Sequence, residues 1–418
     1  MEVVSQCREQ AKWIHIYRCE VKKEIPDGWC FYYRDIRWRA TLGKHMEEYM
    51  RATCLRAAVL GFLTVLSSSC GGGSSAPTSK PSCTATTFAY VTNSLDNTVS
   101  TYTVNSCTGN LTPTTPDTIP TGNAPYGVAV DPSGRFAYVS NGDDTTLSMF
   151  TINSSTGKLT PNTPATIAAG NGPLYVVVDP SGKFVYAANS ADNTVSMYTI
   201  NSSTGNLTPT TPATVATGIS PIGVAVDPSG KFVYATNFTD DTVSMYTINS
   251  STGALTPTTP ATVATGINPD GVTVDPSGKF AYVSNGKGFT VSMYTINSST
   301  GILTPNTPAV VATGSLPASV ALDPSGKFAY VANGGNDNIS MYAVNSGILT
   351  PNTPATIAAG GNPDLVAVDP SGKFVYLTNG NDNTVSIYTR NSDGTLTSAG
   401  TAATGNSPIS IALTGTTQ

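Results

Sequence analysis

The tetrapeptide Asp-Pro-Ser-Gly, followed by Lys or Arg, recurs at Asp131, Asp179, Asp227, Asp275, Asp323 and Asp369, with steps of 48, 48, 48, 48 and 46 residues. A period of this size marks a solenoid or a propeller, in which each unit buries its apolar faces only against its neighbours. No window repeats its apolar residues with a helical period, which excludes the helical solenoids.

One unit is legible in residues 222–266. Gly223-Val-Ala-Val226 is a short apolar strand, A, and Asp227-Pro-Ser-Gly230 a tight turn in which Pro presets φ and Gly accepts positive φ. Lys231–Thr236 predicts strand B. After a polar turn, the β-branched and aromatic run Thr242–Ile248 predicts strand C. Asn249-Ser-Ser-Thr-Gly253 turns the chain again, and Ala254-Leu-Thr256 starts a weak outer strand D. A Pro/Thr-rich stretch then returns the chain to the axis. Phe232 and Tyr234 face one way, Val233 and Ala235 the other. A sheet covered on one side would alternate apolar with polar residues; apolar residues on both faces require a sheet sandwiched between neighbours.

Counting closes the ring. The strand-B motif Phe-x-Tyr starts at Phe88, Phe136, Phe184, Phe232, Phe280, Phe328 and Phe374. Strand A also occurs seven times, but its first copy is Gly127–Val130 and its last is Ile409–Leu413. The expected fold is therefore all-β, a seven-bladed propeller of four-stranded antiparallel blades spanning 84–418. Its last strand should pair beside Phe88–Asn93, removing the exposed edges.

Composition separates this ring from what precedes it. All three Trp, both His and every Glu lie before residue 50, whereas 84–418 holds nine Lys/Arg against eighteen Asp. Such a net-negative domain does not suit nucleic acid. Arg51 and Arg56, the apolar run Ala57–Leu66 and small residues leading to Cys70 have the length of a signal peptide rather than a membrane span. The expectation is a spurious or disordered extension over 1–49, a signal peptide over 50–69 and a flexible tether over 70–83. The seven Cys form no compact metal-binding cluster. Cys83, just before the first strand B, and Cys107, in an Asn-Ser-Ser-Thr-Gly-type turn, fall on the same rim. They are expected to form a disulfide in an oxidising compartment.

Two resemblances add to this. Residues 50–70 resemble a bacterial lipoprotein signal, which implies lipidation of Cys70 and a membrane-anchored protein of the cell envelope. Tyr90-Val-Thr-Asn93, with Tyr138-Val-Ser-Asn141, Tyr282-Val-Ser-Asn285 and Tyr186-Ala-Ala-Asn189, resembles the YVTN-repeat propellers and the related lactonase-like seven-bladed propellers. That resemblance implies the fold for the whole of 84–418. Its enzymes resemble 6-phosphogluconolactonases, which open sugar lactones.

Differences between the repeats matter in an otherwise uniform ring. Strand alternation places the B–C turns and D–A loops on one rim, and the Asp-Pro-Ser-Gly and Asn-Ser-Ser-Thr-Gly turns on the other. After the D–A proline stand Tyr126, Leu174, Ile222, Asp270, Ala318, Asp364 and Ile409, with Tyr175 displaced by one position. Asp270 and Asp364 should point towards the channel mouth, two blades apart. Phe238, Lys287 and Phe289 break the pattern of the B–C turns, which mostly carry an acid. These seven residues (Tyr126, Tyr175, Phe238, Asp270, Lys287, Phe289 and Asp364) are the candidate ligand-binding set. Turn-capping acids with incidental variation, a glycan or protein site, and a Ca²⁺ site all remain open for this rim, although one acid per turn is thin for Ca²⁺. With neither His nor Glu in 84–418, the residues themselves point to a non-catalytic binding or scaffold module of the envelope. It would be monomeric, take no cofactor or metal, and bind a glycan or a protein. The alternative is a lactonase-like hydrolase.

Overall fold

The computed structural model describes residues 87–415, and within them lie seven four-stranded antiparallel sheets. Blades two to seven each run in chain order from the inner strand A to the outer strand D. Blade two begins at Pro125–Val130 and blade seven ends at Leu396–Ala403. Blade one is composite: Pro408–Leu413 is its strand A, followed outward by Thr87–Asn93, Thr98–Val104 and Leu111–Pro120. Its register pairs Ala89 with Leu413, Tyr90 with Ala412 and Val91 with Ile411, so the two ends of the ring share one sheet as expected.

The seam is closed by side chains as well. Six of the seven strand-B tyrosines reach into the next blade, where the hydroxyl donates to the glycine carbonyl of the C–D turn. Tyr90 donates to Gly157 and Tyr234 to Gly301, both at 2.9 Å. Tyr376 of the last blade repeats the contact across the seam, donating to Gly109 at 2.8 Å. Those turns need glycine twice over. Gly157 has φ of 71°, and a Cβ there would lie 2.1 Å from the Phe88 ring.

Burial follows the two-faced pattern. Phe232 and Tyr234 pack with Ala281 and Val283 of the next blade, while Val233 and Ala235 pack with Phe184 and Tyr186 of the previous one. Burying one such side chain contributes about 1.5–3 kcal/mol, and the contact recurs at every blade boundary. The five strand-C methionines add a polar tie: Met245 Sδ, for example, accepts the Leu303 amide of the next blade at 3.3 Å.

Strand D is more extensive than its sequence suggested. In blade four it runs Leu255–Ala264, with a cis peptide before Pro260 and a register shift opposite Ser244–Tyr246. Proline is tolerated because this edge strand has no outer neighbour that needs its missing N–H.

The repeated Asp is a structural cap. Asp227 is buried, and its Oδ1 accepts the amides of Lys231 and Phe232 at 2.8 and 2.7 Å. The base that follows it is exposed. The signature Asn has a comparable task on the opposite rim. Asn237 Nδ2 donates to Thr242 Oγ1 and Ser244 Oγ, both at 2.9 Å, while its Oδ1 accepts the Gly218 amide at 3.0 Å. Strand B, strand C and the D–A loop are thus locked together, which fixes the backbone entering strand A. The expectations for 1–49, 50–69 and 70–83, including Cys70 and Cys83, lie outside the described residues.

Candidate active site

Strand A enters each blade at a proline, and the residue after it stands at one end of the central channel. In six of the seven blades its carbonyl is held by a hydroxyl of the neighbouring blade, the exception being Ile222, opposite Ala188. Thr236 Oγ1 donates to the Asp270 carbonyl at 2.6 Å and Ser319 Oγ to the Asp364 carbonyl at 2.8 Å. Thr92 does the same for Tyr126 at 2.7 Å. The small hydroxyl residue before the signature Asn was visible in the repeat, and it is the usual source of this bond. Its positioning role was not legible, because the carbonyl it holds lies in another blade.

Four of the sequence-predicted residues come together here. Tyr175, from blade three, donates its hydroxyl to Asp364 Oδ1, from blade seven, at 3.3 Å. That contact crosses the channel. Tyr126 of blade two packs edge-on against Tyr175, with ring centroids 5.2 Å apart and planes at 89°. Asp270 of blade five completes the group electrostatically. All four side chains are half-buried: solvent can enter the mouth, yet protein surrounds them on every side.

This setting separates the two carboxyls. Burial pushes Asp364 up to about 6, opposed by the Tyr175 hydrogen bond. Burial, reinforced by the Asp364 charge, holds Asp270 well above the usual carboxylate range. Burial followed by the Asp364 charge likewise raises the phenols of Tyr126 and Tyr175. Asp364 therefore ionises before Asp270, and the cluster sets one carboxylate able to take a proton beside a carboxyl and two phenols whose protonated forms are favoured. Paired groups whose environments push their pKa values apart are how a site obtains an acid and a base together.

The other three candidates stand apart from this cluster, on the B–C turns. Lys287 is exposed and Phe289 is 46% exposed. Phe238 is half-buried, and its carbonyl accepts Asn268 Nδ2 at 2.9 Å. The turn acids are caps: Asp96 accepts the Asn406 amide and Asp192 the Asn171 amide, both at 2.7 Å, and these bonds lower both carboxyls. Among the described residues no group of His, Cys, Asp or Glu is arranged to hold a metal ion.

A family model described as a seven-bladed β-propeller lactonase matches residues 80–222, 208–315 and 305–413. No curated protein matches the chain. Among solved structures, one from Bacteroides fragilis, described provisionally as a 6-phosphogluconolactonase, superposes with a TM-score of 0.68 at 21% identity. It covers 80% of this chain and 99% of its own. The periplasmic gluconolactonase PpgL of Pseudomonas aeruginosa gives 0.65 at 18% identity, covering 80% of this chain and 100% of its own. A Lactobacillus plantarum protein gives 0.67 at 20%, covering 78% and 99%. At these identities the structures establish the fold.

The family match overturns the expectation of a non-catalytic binding or scaffold module. That expectation rested on the missing His and Glu. Acid–base capacity, however, depends on environment as much as on residue type, and the mouth supplies it with Asp and Tyr.

Proposed function

We infer from its place in the lactonase family of seven-bladed β-propellers, to which this chain belongs, that it hydrolyses the ring ester of a lactone at the channel mouth. The observation that carries the reading is the meeting of Asp364 with Tyr175 and Tyr126 at the channel mouth, near Asp270, with both carboxyls raised by burial. Asp364, ionised above about pH 6, takes a proton from a water molecule as the water oxygen attacks the lactone carbonyl carbon. Protonated Asp270 and a phenol hydroxyl donate to the oxyanion that develops there. On collapse the acyl C–O bond of the ring breaks, and Asp364 returns its proton to the departing ring oxygen. Water is thus added across one ester bond to give a hydroxy acid.

The reading extends to location. The signal-like segment ending at Cys70 supports the cell envelope, where lipid on that cysteine would anchor the protein. A neighbour in fold is itself described as periplasmic.

The test is turnover of a sugar lactone by the purified protein, followed by pH-stat. Asp364→Asn is expected to lose at least about a hundredfold in kcat, the lower range for a general base. Wild-type-like turnover in both Asp364→Asn and Asp270→Asn would overturn the assignment.

A further inference from the structure

Beneath the cluster the channel encloses about 400 Å³. Its wall is built from strand A and runs from Tyr175 and Gly223 near the mouth to the prolines of the Asp-Pro-Ser-Gly turns, such as Pro228 and Pro276. Between these ends the surface is largely valine, alanine and leucine, and no Lys or Arg lines it. A space of this size and polarity suits the apolar part of a small molecule.

Charge at the mouth points the same way. Of the nine described Lys and Arg residues, six follow the Asp-Pro-Ser-Gly turns on the far rim. Lys158 and Arg390 stand at that rim too, at the strand C–D connections. Lys287 alone among the described cations is on the mouth rim, exposed on a turn and outside the cluster. A phosphate group brought here would meet Asp364 as a carboxylate, with no cation in the cluster to compensate.

We propose that the lactone opened at this site is uncharged and carries an apolar chain, which lies in the channel while the ester meets the carboxyls. The proposal rests on the lactonase reading above and narrows its substrate. Tyr175 is the specificity-determining element. Its one-place displacement along strand A, where other blades carry Gly, Ser or Leu, makes one side chain both channel wall and partner of Asp364. Turning that ring aside admits the chain and releases the carboxylate that must act as base.

The experiment compares kcat/KM for three substrates: an unsubstituted γ-lactone, a γ-lactone bearing a straight octyl chain, and a phosphorylated sugar lactone. Each buried methylene is worth about fourfold, so the octyl compound should exceed the unsubstituted one by at least about tenfold. The phosphorylated compound should be the poorest. Ala321→Leu with Ala367→Leu, both on the channel wall, should abolish the octyl advantage. Thermal unfolding verifies that this variant folds, and the single variants serve if the pair does not. Calorimetric binding of the corresponding octyl lactam, which cannot be hydrolysed in this way, provides a readout independent of catalysis. Turnover that favours the phosphorylated or unsubstituted lactone overturns the proposal and leaves the lactonase reading standing. Lactam binding that is lost on filling the channel, without turnover of any lactone, supports an apolar ligand in the channel and overturns the lactonase reading. Neither binding nor turnover overturns both.

Discussion

Six of the seven strand-B tyrosines place their hydroxyl on a glycine carbonyl of the next blade, and Tyr282 does not. Its counterpart carbonyl belongs to Gly347, in the blade whose repeat is two residues shorter. There Asn345-Ser-Gly347 replaces Asn-Ser-Ser-Thr-Gly, and the Gly347 carbonyl accepts Asn306 Nδ2 at 3.1 Å. The Tyr282 hydroxyl is left buried without a partner. Substituting Phe at the two kinds of site should therefore give opposite results. Tyr234→Phe removes a buried 2.9 Å bond to Gly301 and strands its carbonyl, at a cost of about 1–3 kcal/mol. Tyr282→Phe removes only a hydroxyl whose desolvation nothing offsets, so it should be neutral or stabilising by up to about 1 kcal/mol. The gap between the variants is about 2 kcal/mol, roughly thirtyfold in the unfolding equilibrium. Urea unfolding would read it as a displaced midpoint at equal slope. A loss in Tyr282→Phe equal to that in Tyr234→Phe would refute the reasoning.

Other outcomes follow from single residues. Asp364 is raised in the folded state, so protonation stabilises the fold at acid pH. That contribution is lost as pH rises from the usual carboxylate range through about 6. Asp364→Asn should accordingly be more stable than wild type at pH 7, by about 1–3 kcal/mol before screening, with the advantage vanishing near pH 4; chemical denaturation at the two pH values measures it. Phe289 has φ of 53° at a turn position where Asn97, Asn193, Asp241, Asp337 and Asn383 instead accept the amide before the next proline. Phe289→Asn should supply that acceptor to Leu316 and raise the urea midpoint by a stability gain of about 0.5–1.5 kcal/mol. The proposed Cys83–Cys107 disulfide predicts no reaction of either cysteine with a thiol reagent in native protein, and a loss of about 2–4 kcal/mol on reduction.

Much of the fold was legible because a propeller writes its architecture seven times. The Phe-x-Tyr count, the offset of strand A and the apolar residues on both faces of strand B led directly to the composite blade and its sandwiched sheets. The outer strand was harder to read, since its prolines argue against a strand unless it is known to lie on an edge. At the site, the residue type after each D–A proline was visible, and with it Asp270 and Asp364. What could not be read was Tyr175 reaching across the axis to Asp364, because that contact joins blades three and seven. Nor could the sequence reveal the raised carboxyls, which result from enclosure by the whole ring. Catalytic capacity is illegible for the same reason: a ring without histidine reads as non-catalytic, and only the enclosure that raises Asp270 and Asp364 shows where protons could be exchanged.

The most direct test of the Asp270–Asp364 pair is the pH dependence of kcat/KM for an uncharged lactone in wild type, Asp364→Asn and Asp270→Asn. For the wild type the expected profile rises through about pH 6 as Asp364 ionises, then falls at higher pH as Asp270 loses its proton. Asp364→Asn should abolish the rising limb and Asp270→Asn the falling one. A flat wild-type profile, or one that both variants reproduce unchanged, would contradict the account.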